Sequence, residues 1–124
     1  MLFALGVILL LQFTPVRGLR TLTGQLFKQE LKQNENNILI DVREPAEYQE
    51  GYISGAINIP LSQFKARINE ISPDKPIFLY CRSGHRSKRA ARIMSKNGFE
   101  NIVHLQGGIR SWDGNIKKGK RPKH

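Results

Sequence analysis

The chain has 124 residues, a single cysteine and a formal net charge of +10. A chain of this length supports one domain with a real hydrophobic core, and an apolar content of 40% is ordinary for a globular protein. The lone cysteine excludes an intramolecular disulfide, a cysteine-rich zinc site and a dithiol pair within the chain. Because the three histidines (His85, His104 and His124) do not cluster in the sequence, we expect neither a metal nor a cofactor.

Residues 1–18 form an apolar leader. The run from Leu2 to Phe13 is interrupted only by one glycine and one glutamine, and as a helix it would reach roughly 18 Å, short of the ~30 Å hydrocarbon core. It is typical of a secretory signal cleaved near Gly18, or of a membrane anchor. Arg17 and Arg20 follow the run and no basic residue precedes it, which favours a cytoplasmic domain on an anchor. We therefore predict membrane contact through the leader or export to the periplasm, with the side left open.

Residues 19–113 alternate between strand and helix patterns. Strands are predicted at 19–22, 38–42, 56–59, 76–80 and 101–105, and helices at 23–33, 45–49, 61–71 and 87–97. A Gly107-Gly108 turn then leads into a short helix carrying Trp112, which we interpret as packing features. This alternation predicts an α/β domain with a mainly parallel central sheet flanked by helices. Residues 114–124 are predicted to be a basic flexible tail.

Cys81 follows the apolar strand pattern directly and opens the segment 81–87, which we call the active loop. In parallel sheets, functional sites lie at the carboxyl ends of strands. The free N–H groups and dipole at the start of the next helix favour negative charge and therefore the nucleophilic thiolate. From Cys81 to Gly98 the chain has six basic residues and no acidic one. This cationic setting favours a reactive cysteine over the alternative of a buried structural one.

Four segments together resemble the signatures of single-domain rhodaneses. They are Asp41-Val42-Arg43-Glu44, Gly51-Tyr52-Ile53-Ser54-Gly55-Ala56-Ile57-Asn58-Ile59-Pro60, Cys81-Arg82-Ser83-Gly84-His85-Arg86-Ser87 and Leu105-Gln106-Gly107-Gly108-Ile109-Arg110-Ser111-Trp112. They occur in the family's order and spacing and span nearly everything from about Leu19 to Trp112. Tyr52 departs from the pattern, which commonly has histidine there. The resemblance implies a three-layer rhodanese-like domain.

The resemblance also implies sulfur transfer through a persulfide on Cys81, the catalytic residue. The sulfur donor would be a small anion such as thiosulfate or a related persulfide, and the acceptor would be cyanide or a thiol. The substrate-binding candidates are the other residues of the active loop: Arg82, Ser83, Gly84, His85, Arg86 and Ser87. Their backbone N–H groups would surround the transferred sulfur. Arg86 and Arg82 are candidates for holding the dianionic donor, and Ser87 is the predicted helix N-cap.

Other interpretations stay open. Asp41 and Arg43 could take part in catalysis, but at the end of an apolar strand we expect them to form structural hydrogen bonds. Cysteine-dependent phosphatases pair cysteine with an arginine six positions later, whereas here Arg86 comes at five and Ser87 at six. A non-catalytic rhodanese-like binding module is a second alternative, although the thiol is intact. Nucleic-acid binding by the basic 87–97 helix is not expected, because aromatic residues are not interleaved with its charges.

Overall fold

A computed structural model describes residues 15–119 of the chain. Most of the predicted leader and the last five residues of the predicted tail lie outside the described residues, so the leader prediction is not tested. Within residues 15–119, no helix combines the length and the apolar character that crossing a bilayer requires.

The elements alternate as the sequence predicts. The strands are β1 (Leu19–Leu22), β2 (Ile38–Asp41), β3 (Tyr52–Ile53), β4 (Ile57–Asn58), β5 (Ile77–Tyr80), β6 (Ile102–Leu105) and β7 (Ile116–Lys117). The α-helices are α1 (Gly24–Gln33), α2 (Pro45–Glu50), α3 (Leu61–Arg67) and α4 (His85–Lys96). Two 3-10 helices follow α3 and β6, at Ile68–Glu70 and Gly108–Ser111.

The central sheet has five strands in the order β1-β6-β5-β2-β4, and every neighbouring pair is parallel. The strand β5 lies in the middle, between β2 and β6. This topology confirms the predicted α/β fold with a mainly parallel sheet. It also places the residue after β5 at the centre of the carboxyl edge, where sites form in parallel sheets.

Two hydrophobic cores lie on opposite faces of the sheet, because successive side chains of a strand point in opposite directions. On one face, Leu79 of β5 packs in a cluster with Phe64 of α3 and Met94 of α4. On the other, Phe78 packs edge-to-face against Phe27 of α1, with ring centroids 5.3 Å apart. Helices therefore cover both faces, which gives the three layers implied by the resemblance.

The structure corrects several predicted boundaries. The helix α4 begins at His85 instead of 87, because Gly84 (φ 110°) provides the N-cap in a left-handed conformation that glycine adopts readily. Ser87 is therefore not the N-cap but the third residue of the helix. The predicted helix 61–71 ends at Arg67 and continues as a 3-10 turn.

The predicted flexible tail begins too early. Ile116 and Lys117 form β7, which pairs antiparallel with β3, and the Gly119 N–H donates to the Gln49 carbonyl at 3.0 Å. A two-residue strand pair is too short to leave a periodic pattern in the sequence, so neither β3 nor β7 was predicted. The ordered domain consequently extends beyond residue 113.

Candidate active site

The thiol of Cys81 lies at the carboxyl edge of the sheet, immediately after β5. Its side chain is 1% exposed, and its Sγ accepts a hydrogen bond of 3.0 Å from the Gly84 backbone N–H. The sulfur thus lies inside the turn that leads into α4, where N–H groups and the helix dipole stabilise negative charge. Among the residues of the active loop, Gly84 and Ser87 contact the sulfur directly.

The Gly107-Gly108 turn packs against the backbone of the active loop. The Ile109 N–H donates to the Cys81 carbonyl at 2.8 Å, and the Arg110 N–H donates to the Arg82 carbonyl at 3.3 Å. A Cβ on Gly108 would lie 2.4 Å from the carbonyl carbon and oxygen of Arg82. The two backbones approach this closely only because Gly108 has no side chain. The turn is therefore more than the packing feature predicted from the sequence, since it fixes the position of the loop.

Arg86 is bound by a carboxylate that the sequence analysis did not identify. Its Nη1 and Nη2 donate to Oε1 and Oε2 of Glu47 in α2 at 2.6 and 2.9 Å. The hydrogen bonds from Arg86 lower the pKa of Glu47 to about 2, and in turn they raise the pKa of Arg86. The pair ties α2 to the active loop. Binding of the sulfur donor by Arg86 stays a prediction, and in this structure the guanidinium is engaged by Glu47.

Ser87 contacts the thiol from within the protein. Its Oγ lies 3.6 Å from Cys81 Sγ and 3.1 Å from the Gly84 carbonyl, and the residue is fully buried. A hydroxyl can donate one hydrogen bond and accept others, so Ser87 can link the sulfur to a further polar group. These contacts give a physical reason for a serine on the buried face of α4, whose other buried residues are Ala90, Ala91 and Met94.

That further group is the imidazole of His104 in β6. Its Nδ1 lies 3.0 Å from Ser87 Oγ, and its Nε2 lies 2.9 Å from Thr21 Oγ1 in β1. Burial lowers the pKa of His104 to about 4, with a smaller contribution from the charge of Lys88. The ring is therefore neutral near pH 7, with one nitrogen that donates and one that accepts. A polar network thus runs from the thiol through Ser87 and His104 to the exposed Thr21.

The other predicted loop residues lie at the surface. Arg82, Ser83 and His85 are exposed, and Gly84 is half-buried. Ser83, Gly84 and His85 line one end of a groove of about 1500 Å³ that continues along α4.

Asp41 and Arg43 form structural hydrogen bonds. The Arg43 guanidinium donates to both carboxylate oxygens of Asp41, with the shortest contact 2.7 Å, and also to the Gly51 carbonyl at 2.6 Å. Both residues are buried, and Asn58 donates to their carbonyls. This network holds the loops after β2 and α2, in agreement with the structural role expected from the sequence.

Glu47 and His104 are the site residues that the sequence analysis missed. Glu47 also completes a capping box at the start of α2, which is a sufficient local reason for a glutamate there. A signal was available for His104: it is the one polar residue in the buried strand Ile102–Leu105. A polar side chain in a fully buried strand requires a hydrogen-bond partner, and such partners often belong to a site.

The family model, the related sequences and the solved structures that match this chain agree with one another. The family model of the rhodanese-like domain matches residues 23–115. An uncharacterized protein of Bacillus subtilis, YqhL, is 49% identical over 104 residues, covering 84% of this chain and 80% of its own length. A sulfurtransferase of Allochromatium vinosum is 35% identical over 89 residues, covering 72% and 83%. The crystal structure of a rhodanese-related protein from Thermoplasma volcanium has a TM-score of 0.71 and 32% identity, covering 79% of this chain and 97% of its own.

Proposed function

Because this chain belongs to the rhodanese-like domain family, we propose that it transfers sulfane sulfur through a persulfide on Cys81. Relatives named as sulfurtransferases support a role in rhodanese-type sulfur transfer. The observation that carries the proposal is the position of Cys81 Sγ, which accepts the Gly84 N–H at 3.0 Å at the N-terminus of α4. This geometry favours a sulfur nucleophile that carries negative charge.

In the first step, the Cys81 thiolate attacks the outer sulfur of a donor such as thiosulfate. A bond forms between Sγ and that sulfur, the S–S bond of thiosulfate breaks, and sulfite leaves with the bonding electron pair. The loop N–H groups stabilise the charge that develops on the transferred sulfur. Arg86 and Arg82 contribute positive charge for the anionic donor.

In the second step, a thiophilic acceptor attacks the outer sulfur of the persulfide. Cyanide gives thiocyanate, whereas a thiolate gives a new persulfide, and in both cases Cys81 leaves as the thiolate. The Gly84 N–H, which donates to Sγ, stabilises the charge that develops on the departing sulfur. Cys81 is 1% exposed, so both the donor and the acceptor have to approach its sulfur through the active loop.

Intact-protein mass spectrometry tests the proposal. We expect thiosulfate to add one sulfur atom, about 32 Da, and cyanide or a small thiol to remove it again. The Cys81→Ser variant should neither gain this mass nor produce thiocyanate. Sulfur transfer to cyanide by Cys81→Ser would refute the mechanism.

The same preparation distinguishes the two alternative functions. A non-catalytic binding module would gain no sulfur although its cysteine is intact. A cysteine-dependent phosphatase would release phosphate from an aryl phosphate in a Cys81-dependent reaction. The position six residues after Cys81, where such phosphatases have their arginine, is the buried Ser87, whose Oγ lies 3.6 Å from Cys81 Sγ, and this supports sulfur transfer over phosphatase activity.

A further inference from the structure

The groove beside the active loop carries more positive charge than the proposed sulfur chemistry requires. One wall is α4, which contributes Lys88, Arg89 and Lys96, and the other is α3, which contributes Lys65. No aspartate or glutamate is among the described residues that line it. None of these four cations forms an ion pair with an acidic residue in the described part of the chain. The groove therefore presents unneutralised charge to a partner.

The length of the groove excludes a small anion as the sole explanation of this charge. It runs from His85 at the start of α4 to Lys96 at its end, a distance of about 16 Å at the rise of an α-helix. A single thiosulfate beside the thiol would contact only the first turn of this helix. The sequence-based interpretation, in which the cationic cluster surrounds the thiol and suits a small anion, consequently does not account for Arg89 and Lys96.

The lining indicates an extended protein segment instead of a nucleic acid. Leu61, Ile68 and Ile93 are partly buried side chains that line the groove beside the cations. Apolar contacts of this kind suit leucine-like side chains of a peptide. Single-stranded nucleic acids are instead commonly bound by aromatic side chains that stack on the bases, and no phenylalanine, tyrosine or tryptophan is among the described lining residues.

We propose that this groove binds an acidic, apolar segment of a protein that carries the sulfur-accepting or sulfur-donating thiol. The argument is charge complementarity together with the continuity of the groove with Ser83, Gly84 and His85 of the active loop. A segment lying along α4 brings a thiol at its end to the mouth of the loop. The inference deepens the proposed function, on which it rests, by naming the class of the partner.

Binding of a synthetic peptide to the full-length protein tests the groove. The probe is a fluorescent peptide of alternating glutamate and leucine that ends in a cysteine, about eight residues long, so that its extended chain exceeds the groove. The control peptide has glutamine in place of glutamate. Anisotropy is measured with Cys81→Ser protein, so that binding is observed independently of sulfur transfer.

The groove variant is Arg89→Glu with Lys96→Glu, and Lys65→Glu on the opposite wall is a second, independent variant. The matched control for the double variant is Lys28→Glu with Lys32→Glu on α1. It changes the net charge of the protein by the same amount as the double variant, but on the other face of the sheet. We expect the dissociation constant to rise at least about fivefold in the groove variants and less than about twofold in the control. In protein that retains Cys81, the KM for the peptide thiol should rise in the same variants while turnover with cyanide stays unchanged.

Four results would overturn the inference. The first two are absence of peptide binding and equal affinity for the glutamine and glutamate peptides. The other two are equal weakening of peptide binding by the α1 control and the groove variants, and groove-dependent binding of single-stranded RNA or anionic vesicles in preference to the peptide. Peptide binding without any sulfur transfer would leave the groove assignment standing and reject the proposed function. Transfer to cyanide without peptide binding would do the reverse.

Discussion

The close contact between Gly108 and the active loop leads to a testable prediction for Gly108→Ala. Gly108 has φ 66°, a conformation that costs a residue with a side chain about 1–2 kcal/mol. The new Cβ would also lie 2.4 Å from Arg82 backbone atoms, whereas ordinary contacts begin at 3.4 Å. The loop or the turn must therefore shift by about 1 Å, and a misplacement of this size in a reacting group can lower the rate about 100-fold.

Gly98→Ala is the matched control. Gly98 also has positive φ (86°), but a Cβ there would meet nothing within 4 Å. Its alanine variant should lose only the conformational term, about 1–2 kcal/mol, and should keep full activity. For Gly108→Ala we expect a total loss of about 2–5 kcal/mol in the free energy of unfolding, because strain from overpacking adds to the same term.

Two measurements are needed for each variant: the free energy of unfolding from urea titration and the thiocyanate formed from thiosulfate and cyanide per folded molecule. Equal activity of the Gly108 and Gly98 variants would show that the turn does not position the active loop. Equal loss of stability would show that the backbone contact relaxes at no cost.

Three further predictions concern charge and location. Arg86→Ala should lower kcat/KM for thiosulfate roughly 10-fold, the equivalent of about 1.4 kcal/mol. Glu47→Gln should raise kcat/KM severalfold, because it removes the negative charge that Arg86 binds. A loss of kcat/KM in both variants would show that the pair acts only structurally. Between pH 6.5 and about 4, the free energy of unfolding should fall by up to about 3 kcal/mol, because unfolded His104 binds a proton that the buried ring does not. His104→Asn should flatten this slope in urea titrations, whereas a slope equal to that of the exposed-site variant His85→Asn would refute the assignment. Full-length protein should fractionate with membranes or appear exported and shortened near Gly18; N-terminal sequencing of an intact, soluble cytosolic product would contradict the leader prediction.

The local pattern of the chain determined the fold class and the position of the candidate nucleophile. Apolar runs such as Ile77–Tyr80, alternating with amphipathic helices, require a layered arrangement because each hydrophobic face must be buried against another. The order strand, cysteine, glycine-containing loop and helix then places Cys81 at a helix N-terminus. These inferences depend on neighbouring residues only, which is why they could be made before the structure was known.

Tertiary structure decided how the site is supported and where its charge is directed. Arg86 meets Glu47 across 39 positions of sequence, and His104 meets Thr21 across 83. Such contacts depend on which strands are neighbours in the sheet, here β1 beside β6, and no local periodicity encodes that order. The sequence therefore determined which groups were available for chemistry. The tertiary structure determined that Arg86 of the active loop is paired with Glu47, whereas the cations along α4 line an open groove.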